Sequence, residues 1–342
     1  MKKVKPIDWN LAEVWNRVAY KEQRQLEKRD YVYASELGLP FYDRWLKMKA
    51  VPYTNPPNDR SLRKFLAGNI MEYVTKQILI AAGIYRQDEV KLDSQPYADC
   101  LAVHGRCDFI AGGYVDPVDA MLRVSELRLP DFLHTVATKL IGQLAGRQLV
   151  EKILEIKSVS SYGMDRVEGL KAPIPHHTLQ AYHYHRNGKL PADVAYLCKD
   201  DLRMKQFAIV PKQSEPLYRN DLAEMTDWYK GKKKPPLAPL LTFDYTTGQF
   251  VKNLHVEYSP YLEHYGFKSP DDYRTAIAYV RNWNRTLNRY AANETGGKTA
   301  GGKPIQLTPK NIQTRNEIAK AGFDFNALLA HLIKIGYEAD EE

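Results

Sequence analysis

Residues Ile153–Val159 read Ile-Leu-Glu-Ile-Lys-Ser-Val, and they are the clearest strand in the chain. Side chains alternate along a strand, so Ile153, Glu155 and Lys157 share one face and Leu154, Ile156 and Ser158 the other. The residues flanking the charges are apolar. A carboxylate and an ammonium facing a largely buried side must be paired or bound to a metal. This strand therefore has to sit in a sheet whose interior tolerates one charged cluster.

The segments around it restrict the sheet further. Helices are expected over 8–30, with Leu11, Val14, Trp15 and Val18 in register, and over 35–49. A longer helix is expected over 61–82, with Leu62, Leu66, Ile70, Tyr73, Val74, Gln77 and Ala81 along one stripe. Asp59 or Ser61 can cap its start and Gly83 can end it. Short strands follow at 89–92, 100–103 and 106–111, separated by His104-Gly105 and followed by Gly112-Gly113. A helix over 133–149 then precedes the charged strand. After Pro173 and Pro175 come a helix over 177–186, a hairpin of 194–197 with 206–210, and a helix over 217–230. Residues 270–290 and 309–337 read as helical, the latter broken near Gly322. Helix, antiparallel strands, strand, helix, strand, helix is the order of an α/β fold. It implies a mixed central β-sheet flanked by helices rather than a doubly wound sheet.

Length and composition bound the rest. At about 150 residues per domain, 342 residues suggest about two domains. Hydrophobic residues at 44% and charged residues at 26% supply material for a core. No run approaches the roughly 18–20 apolar residues of a membrane span, and the basic start leads into Ile7-Asp8-Trp9-Asn10 rather than a signal peptide's apolar stretch. A cytoplasmic protein with no membrane partner is expected. Cys100, Cys107 and Cys198 form no Cys-x-x-Cys pair, which excludes a four-cysteine zinc or iron–sulfur site within the chain. A net charge of +8 is compatible with a polyanionic partner without demanding one.

Four chemical features fall in order: Glu72 on a helix, Asp108 on a strand, Glu155-Ile156-Lys157 on the next strand, and Gln180 with Tyr184 on the following helix. Two carboxylates on adjacent strand centres suit a hard divalent cation, which takes oxygen ligands. Lys157 would then lie beside the attacking water and the scissile phosphate, offsetting transition-state charge. By itself an acid two residues before a lysine also fits an exposed strand pair, and Glu89-Val90-Lys91 repeats it.

The order of the parts separates these readings. The chain resembles the PD-(D/E)XK nuclease superfamily, nearest its RecB-like exonuclease branch. The resemblance rests on Gly68-Asn69-Ile70-Met71-Glu72, Gly105-Arg106-Cys107-Asp108, Leu154-Glu155-Ile156-Lys157 and Gln180-Ala181-Tyr182-His183-Tyr184. It covers about residues 60–212, and in its order Glu89-Val90-Lys91 falls on a meander strand before Asp108. It implies a restriction-endonuclease-like core with helical additions at both ends. It also implies Asp108 and Glu155 as metal ligands with the Ile156 backbone carbonyl, and Lys157 as the catalytic lysine. Glu72 would bind the metal directly or through water. Gln180 and Tyr184, at i and i+4, would orient the site or contact the DNA backbone.

The chain departs from the pattern in three ways. The interval from Asp108 to Glu155 is long, so about 112–150 reads as an insertion; the superfamily's proline is absent; and the cysteines of its iron–sulfur members are absent, so no cluster is expected. The expected domains are an N-terminal helical region (1–59), the nuclease core (60–234) and a C-terminal accessory region (235–342) with a flexible linker near 293–305.

The function implied is a Mg²⁺- or Mn²⁺-dependent DNA nuclease, acting on single- or double-stranded DNA in repair or recombination. An exonuclease is the first reading. An endonuclease on the same core, or a catalytically silent nucleic-acid-binding protein, is the alternative. A homo-oligomer is compatible with this reading. His177 is a candidate phosphate contact, and with His176, His183 and His185 it also raises a zinc reading, against which interface or core-rim histidines weigh more. Lys230 and Lys232–Lys234 could grip phosphate or form a solvated linker. Tyr31, Tyr33 and 42–45 suit a DNA groove or a core. Gly296-Gly297-Lys298-Thr299 resembles the end of a phosphate loop, but Ala292 stands where its first glycine belongs.

Overall fold

In the computed structural model the described residues are 13, 17, 26–127, 131–231, 234–244 and 247–339. They divide into one unit of Met1–Pro52 with Pro56–Pro236, and another of Tyr53–Asn55 with Leu237–Glu342. The helix expected over 8–30 falls largely outside the described residues.

The first unit runs β1 (Tyr31–Tyr33), α1 (Phe41–Met48), α2 (Asp59–Ala81), β2 (Tyr85–Lys91), β3 (Ala102–His104) and β4 (Arg106–Tyr114). It continues with α3 (Pro117–Glu126), α4 (Asp131–Leu144), β5 (Gln148–Val159), α5 (Ser161–Glu168), α6 (Pro175–Gly188), β6 (Ala192–Cys198), β7 (Met204–Ala208) and α7 (Pro211–Lys230). The main sheet has the order β2-β4-β5-β6-β7. β2 and β5 each pair antiparallel with β4, β5 and β6 run parallel, and β7 closes antiparallel on β6. A parallel pair needs a crossover, and α5 and α6 provide it. It is a mixed α/β sheet flanked by helices.

β5 is the middle strand, which explains its two apolar faces. Ile153 joins the core containing Leu179, Tyr184, Val194, Tyr196, Tyr218 and Leu222. Ile156 packs in a second cluster with Leu79, Phe109, Ala111 and Ala195. α2 begins at Asn58, whose side chain accepts from the Ser61 amide at 2.9 Å, so neither Asp59 nor Ser61 is the cap.

Several expectations change. The residues read as an insertion are the helices α3 and α4, set between β4 and β5, which pair directly as far as Tyr114 with Gln148. Gly112, at φ 118°, takes up the register shift there; a Cβ on it would fall 2.3 Å from the Val150 carbonyl oxygen. The segment before residue 59 is not a helical appendage among its described residues. β1 pairs parallel with β3. The helix expected over 35–49 shortens to α1, with Pro40 at its N-cap and a 3-10 turn at Ala34–Glu36 before it. The buried Arg44 guanidinium donates to both Asp221 oxygens on α7, at 2.9 and 2.7 Å. α7 starts at Pro211, ahead of the 217 expected. The helix runs through Pro216, which removes one backbone donor.

His183 on α6 is fully buried. Its Nε2–H donates to the Leu92 carbonyl at 2.7 Å, and its Nδ1 lies 2.8 Å from the Tyr218 hydroxyl. Burial pushes its pKa down to about 4. An unfolded histidine titrates near 6.5, so between those values the unfolded chain binds a proton that the fold refuses. Stability is complete above about 6.5 and falls as the pH drops toward 4. Urea titrations at pH 7 and pH 5 should show the wild type losing about 2 kcal/mol more than His183→Gln. Asp108 and Glu155 contribute with the opposite sign but are common to both proteins. Equal losses would show that His183 is not held neutral.

The second unit runs β8 (Leu241–Asp244), β9 (Gln249–Lys252), α8 (Leu254–Glu257), α9 (Pro270–Ala276), α10 (Val280–Glu294), α11 (Pro309–Lys320) and α12 (Phe325–Ala339). The strands form a hairpin, and Leu241, Phe250, Tyr273, Trp283, Leu287, Ile318 and Phe325 share its core. The Thr54 and Asn55 amides donate to the Pro260 carbonyl at 3.0 and 2.9 Å, which draws Tyr53–Asn55 into this unit. The stretch expected as a flexible linker is a closed loop. Lys298 pairs with Pro304, the Asn293 amide donates to the Ile305 carbonyl at 2.6 Å, and Arg289 Nε donates to the Gln306 carbonyl at 3.0 Å. Among the described residues no helix is long and apolar enough to cross a membrane.

Candidate active site

Adjacent β4 and β5 bring Asp108 beside Glu155, and period two puts Lys157 on the Glu155 face. Asp108 Oδ2 accepts from the Ile156 amide at 2.6 Å. Glu155 is 2% exposed. Its Oε1 accepts from Lys157 Nζ at 2.6 Å and from Gln180 Nε2 at 2.7 Å, while its Oε2 is buried with no hydrogen-bond partner. Gln180 Nε2 also donates to the Tyr184 hydroxyl at 3.0 Å.

The electrostatics follow from this crowding. Burial, and then the Glu155 charge, push Asp108 well above the ordinary aspartate value, against the pull of Lys157 and the Ile156 amide. Burial likewise raises Glu155, opposed by Lys157. Burial works against the Lys157 ammonium, but Glu155, Asp108 and Glu72 outweigh it and hold its pKa above the ordinary lysine value. Glu72 on α2 acts on both Asp108 and Lys157, so it belongs to the same electrostatic site. One turn before it, a Cβ on Gly68 would lie 3.3 Å from Ser158 Oγ, which marks the close approach of α2 to β5.

Gly105 has an equally local reason. A Cβ there would meet the Ala34 side chain at 2.7 Å and Tyr184 Cε1 at 2.8 Å. The Tyr184 ring lies against the strand only because that position has no side chain. Gly105→Ala is therefore expected to displace Tyr184, loosen Gln180 from Glu155, and destabilise by about 1–3 kcal/mol. Urea unfolding checks the cost, which should shrink when Gly105→Ala is combined with Tyr184→Leu. Full additivity would remove Tyr184 as the cause.

Burial corrects the DNA-contact reading of Gln180 and Tyr184. They are 5% and 1% exposed and brace Glu155 from within. His177 is held elsewhere: its Nδ1 lies 2.8 Å from the Tyr196 hydroxyl, which also accepts from the Ile174 amide at 2.9 Å. Among the described residues no group of three or more histidine, cysteine, aspartate or glutamate side chains is arranged to hold a metal ion. The remaining donors, Asp108 and Glu155, fit a hard cation that needs only one or two carboxylates. The orphaned Glu155 Oε2 is the atom that lacks a counterpart without one. Tyr31 and Tyr33 lie on β1, with Tyr31 stacked on His104 at 4.0 Å and the Arg29 guanidinium 4.4 Å from the Tyr33 ring. Lys232 and Lys233 lie outside the described residues.

Lys64 and Lys199 escaped the sequence reading. Lys199 Nζ donates to the Lys64 carbonyl at 3.2 Å. The available signal was the four-residue spacing of Lys64, Gly68 and Glu72, which places all three on one side of α2.

No protein-family model matches the sequence, and no curated protein matches it. Among solved structures the chain is similar to SSO0001, with 14% identity over 66% of this chain and 88% of that one and a TM-score of 0.36. It is also similar to an alkaline exonuclease (LHK-Exo) from Laribacter hongkongensis, with 11% identity over 62% of this chain and 92% of that one and a TM-score of 0.30.

Proposed function

We propose that this protein is a Mg²⁺- or Mn²⁺-dependent nuclease of the RecB-like type that hydrolyses DNA phosphodiester bonds, acting from strand ends. The observation that carries the reading is the Glu155 carboxylate: one oxygen is bound by Lys157 and Gln180, and the other is buried and unpartnered near Asp108. Asp108, Glu155 and the Ile156 backbone carbonyl would hold the cation, with Glu72 acting through water. A bound divalent ion supplies Lewis acidity toward a phosphoryl oxygen.

The chain's own residues do the rest. Lys157 keeps its proton at neutral pH, so it serves as a fixed positive charge that orients the attacking water and offsets charge on the phosphate. Gln180 holds Glu155 in one rotamer, and Tyr184 holds Gln180. The Ile156 amide fixes Asp108.

End-labelled linear DNA and covalently closed circles, each with magnesium, manganese or EDTA, test the reading. The expected result is metal-dependent loss of linear DNA, single- or double-stranded, with circles left intact. Nicked circles would replace the exonuclease by an endonuclease. No cleavage with either metal would overturn the nuclease.

A further inference from the structure

Beyond the carboxylates, β5 ends beside a pair of lysines. The Lys199 amide donates to the Val159 carbonyl at 2.8 Å, which fixes Lys199 at the end of that strand. Its ammonium then reaches the Lys64 carbonyl on α2. Neither lysine forms an ion pair among the described residues, and the Lys64 charge acts unfavourably on Lys199. Burial and Lys64 hold Lys199 below the ordinary lysine value, with Asp200 opposing. The Asp200 carboxylate is itself engaged, accepting from the Ser161 amide at 2.7 Å. An ammonium held against the backbone of a second lysine, with no carboxylate paired to either among the described residues, suits an anion that reaches both side chains.

The neighbours of these lysines are aromatic and exposed. Phe65 follows Lys64 on α2 and is 59% exposed; Tyr162 follows Ser161 on α5 and is 74% exposed. Large rings left in water at positions next to Lys64 and to the Ser161–Asp200 contact match the way single strands are held, with phosphates on lysines and bases on rings. Lys64 and Glu72 are two helical turns apart, about 12 Å along α2. A strand entering at Glu72 would therefore reach the lysines a few nucleotides from the scissile bond, at about 3.4 Å of rise per nucleotide.

We propose that Lys64, Lys199, Phe65 and Tyr162 form a subsite for a single-stranded segment of the nucleic acid, in which the lysines take one backbone phosphate and the rings stack bases. It rests on the nuclease reading for its place beside the scissile bond, but its binding is measured independently.

The test uses the full chain and a short labelled oligothymidylate, with calcium in place of magnesium, over a series of salt concentrations. Lys64→Gln with Lys199→Gln should weaken binding about tenfold and lower the slope of log affinity against log salt by about 0.7 for each phosphate no longer neutralised. Phe65→Leu and Tyr162→Leu should each weaken binding about tenfold without changing that slope. A single methylphosphonate, moved along the oligonucleotide, should weaken wild-type binding at one position and have no effect there on the double lysine variant. Unchanged thermal unfolding shows that the variants are folded. Unchanged affinity and slope, or methylphosphonate effects additive with the lysine changes, would overturn the subsite. If wild type fails to cleave with magnesium while the variants bind more weakly as expected, the subsite stands and the nuclease reading falls. Cleavage by wild type with undiminished binding by the variants gives the reverse.

Discussion

Lys157→Ala is expected to lower DNA cleavage by roughly 10²–10³-fold, the usual cost of removing one fixed charge from a transition state. Its ammonium is the cation bound to Glu155, and its pKa is held above the ordinary lysine value by Glu155, Asp108 and Glu72. Stability should respond as well, with a definite sign. Without Lys157, Glu155 keeps only the Gln180 amide and is pushed further toward its protonated form. The variant should therefore lose stability as the pH rises and the buried carboxyl is forced to ionise.

Asp108→Asn is the contrasting variant. An asparagine oxygen can still accept the Ile156 amide, while the charge that burial and Glu155 disfavour is gone. It should abolish cleavage and raise stability by about 1 kcal/mol, or about 2–4 °C in Tm. Single-turnover cleavage with thermal unfolding reads both effects. Normal turnover in Lys157→Ala would remove the lysine from the chemistry. A fall in Tm for Asp108→Asn would show that the Asp108 charge is already compensated within the fold.

The second large effect concerns the fold. Arg44→Ala should destabilise the first unit by about 3–5 kcal/mol, because it leaves Asp221 buried without its bidentate partner. Arg44 is 1% exposed and joins α1 to α7 through both Asp221 oxygens. Most of the loss should return when Arg44→Met is combined with Asp221→Leu, since an apolar pair of similar volume carries no desolvation cost. Urea unfolding followed by tryptophan fluorescence measures it. A loss below about 1 kcal/mol would mean that α1 is dispensable to the unit.

What the sequence made legible was periodic or local. β5 could be read because Ile153, Leu154, Ile156 and Val159 are apolar around two charges, and α2 because apolar residues recur at helical spacing from Leu62 until Gly83. The order of elements then implied a mixed sheet, which the β2-β4-β5-β6-β7 arrangement has. Pairings distant in sequence were invisible. Nothing near Arg44 points to Asp221, 177 residues away. The β8–β9 hairpin was missed because its strands are four residues each. Glycines misled around 293–305, where side-chain bonds from Asn293 and Arg289 close the loop. At the site, the residue types of Asp108, Glu155 and Lys157 suggested a cluster, but burial was needed to see that Gln180 and Tyr184 face inward. The space left by Gly105 also needed the folded chain, because it depends on the Tyr184 ring.

The most direct test of the central claim compares wild type with Glu155→Gln on end-labelled linear DNA in magnesium, manganese and EDTA. Glutamine keeps the shape and the bond to Gln180 but loses the charge that would hold a cation. The account predicts metal-dependent degradation by wild type, none in EDTA, and none by a variant that thermal unfolding shows to be folded. Equal degradation by the folded variant, or cleavage by wild type in EDTA, would contradict it.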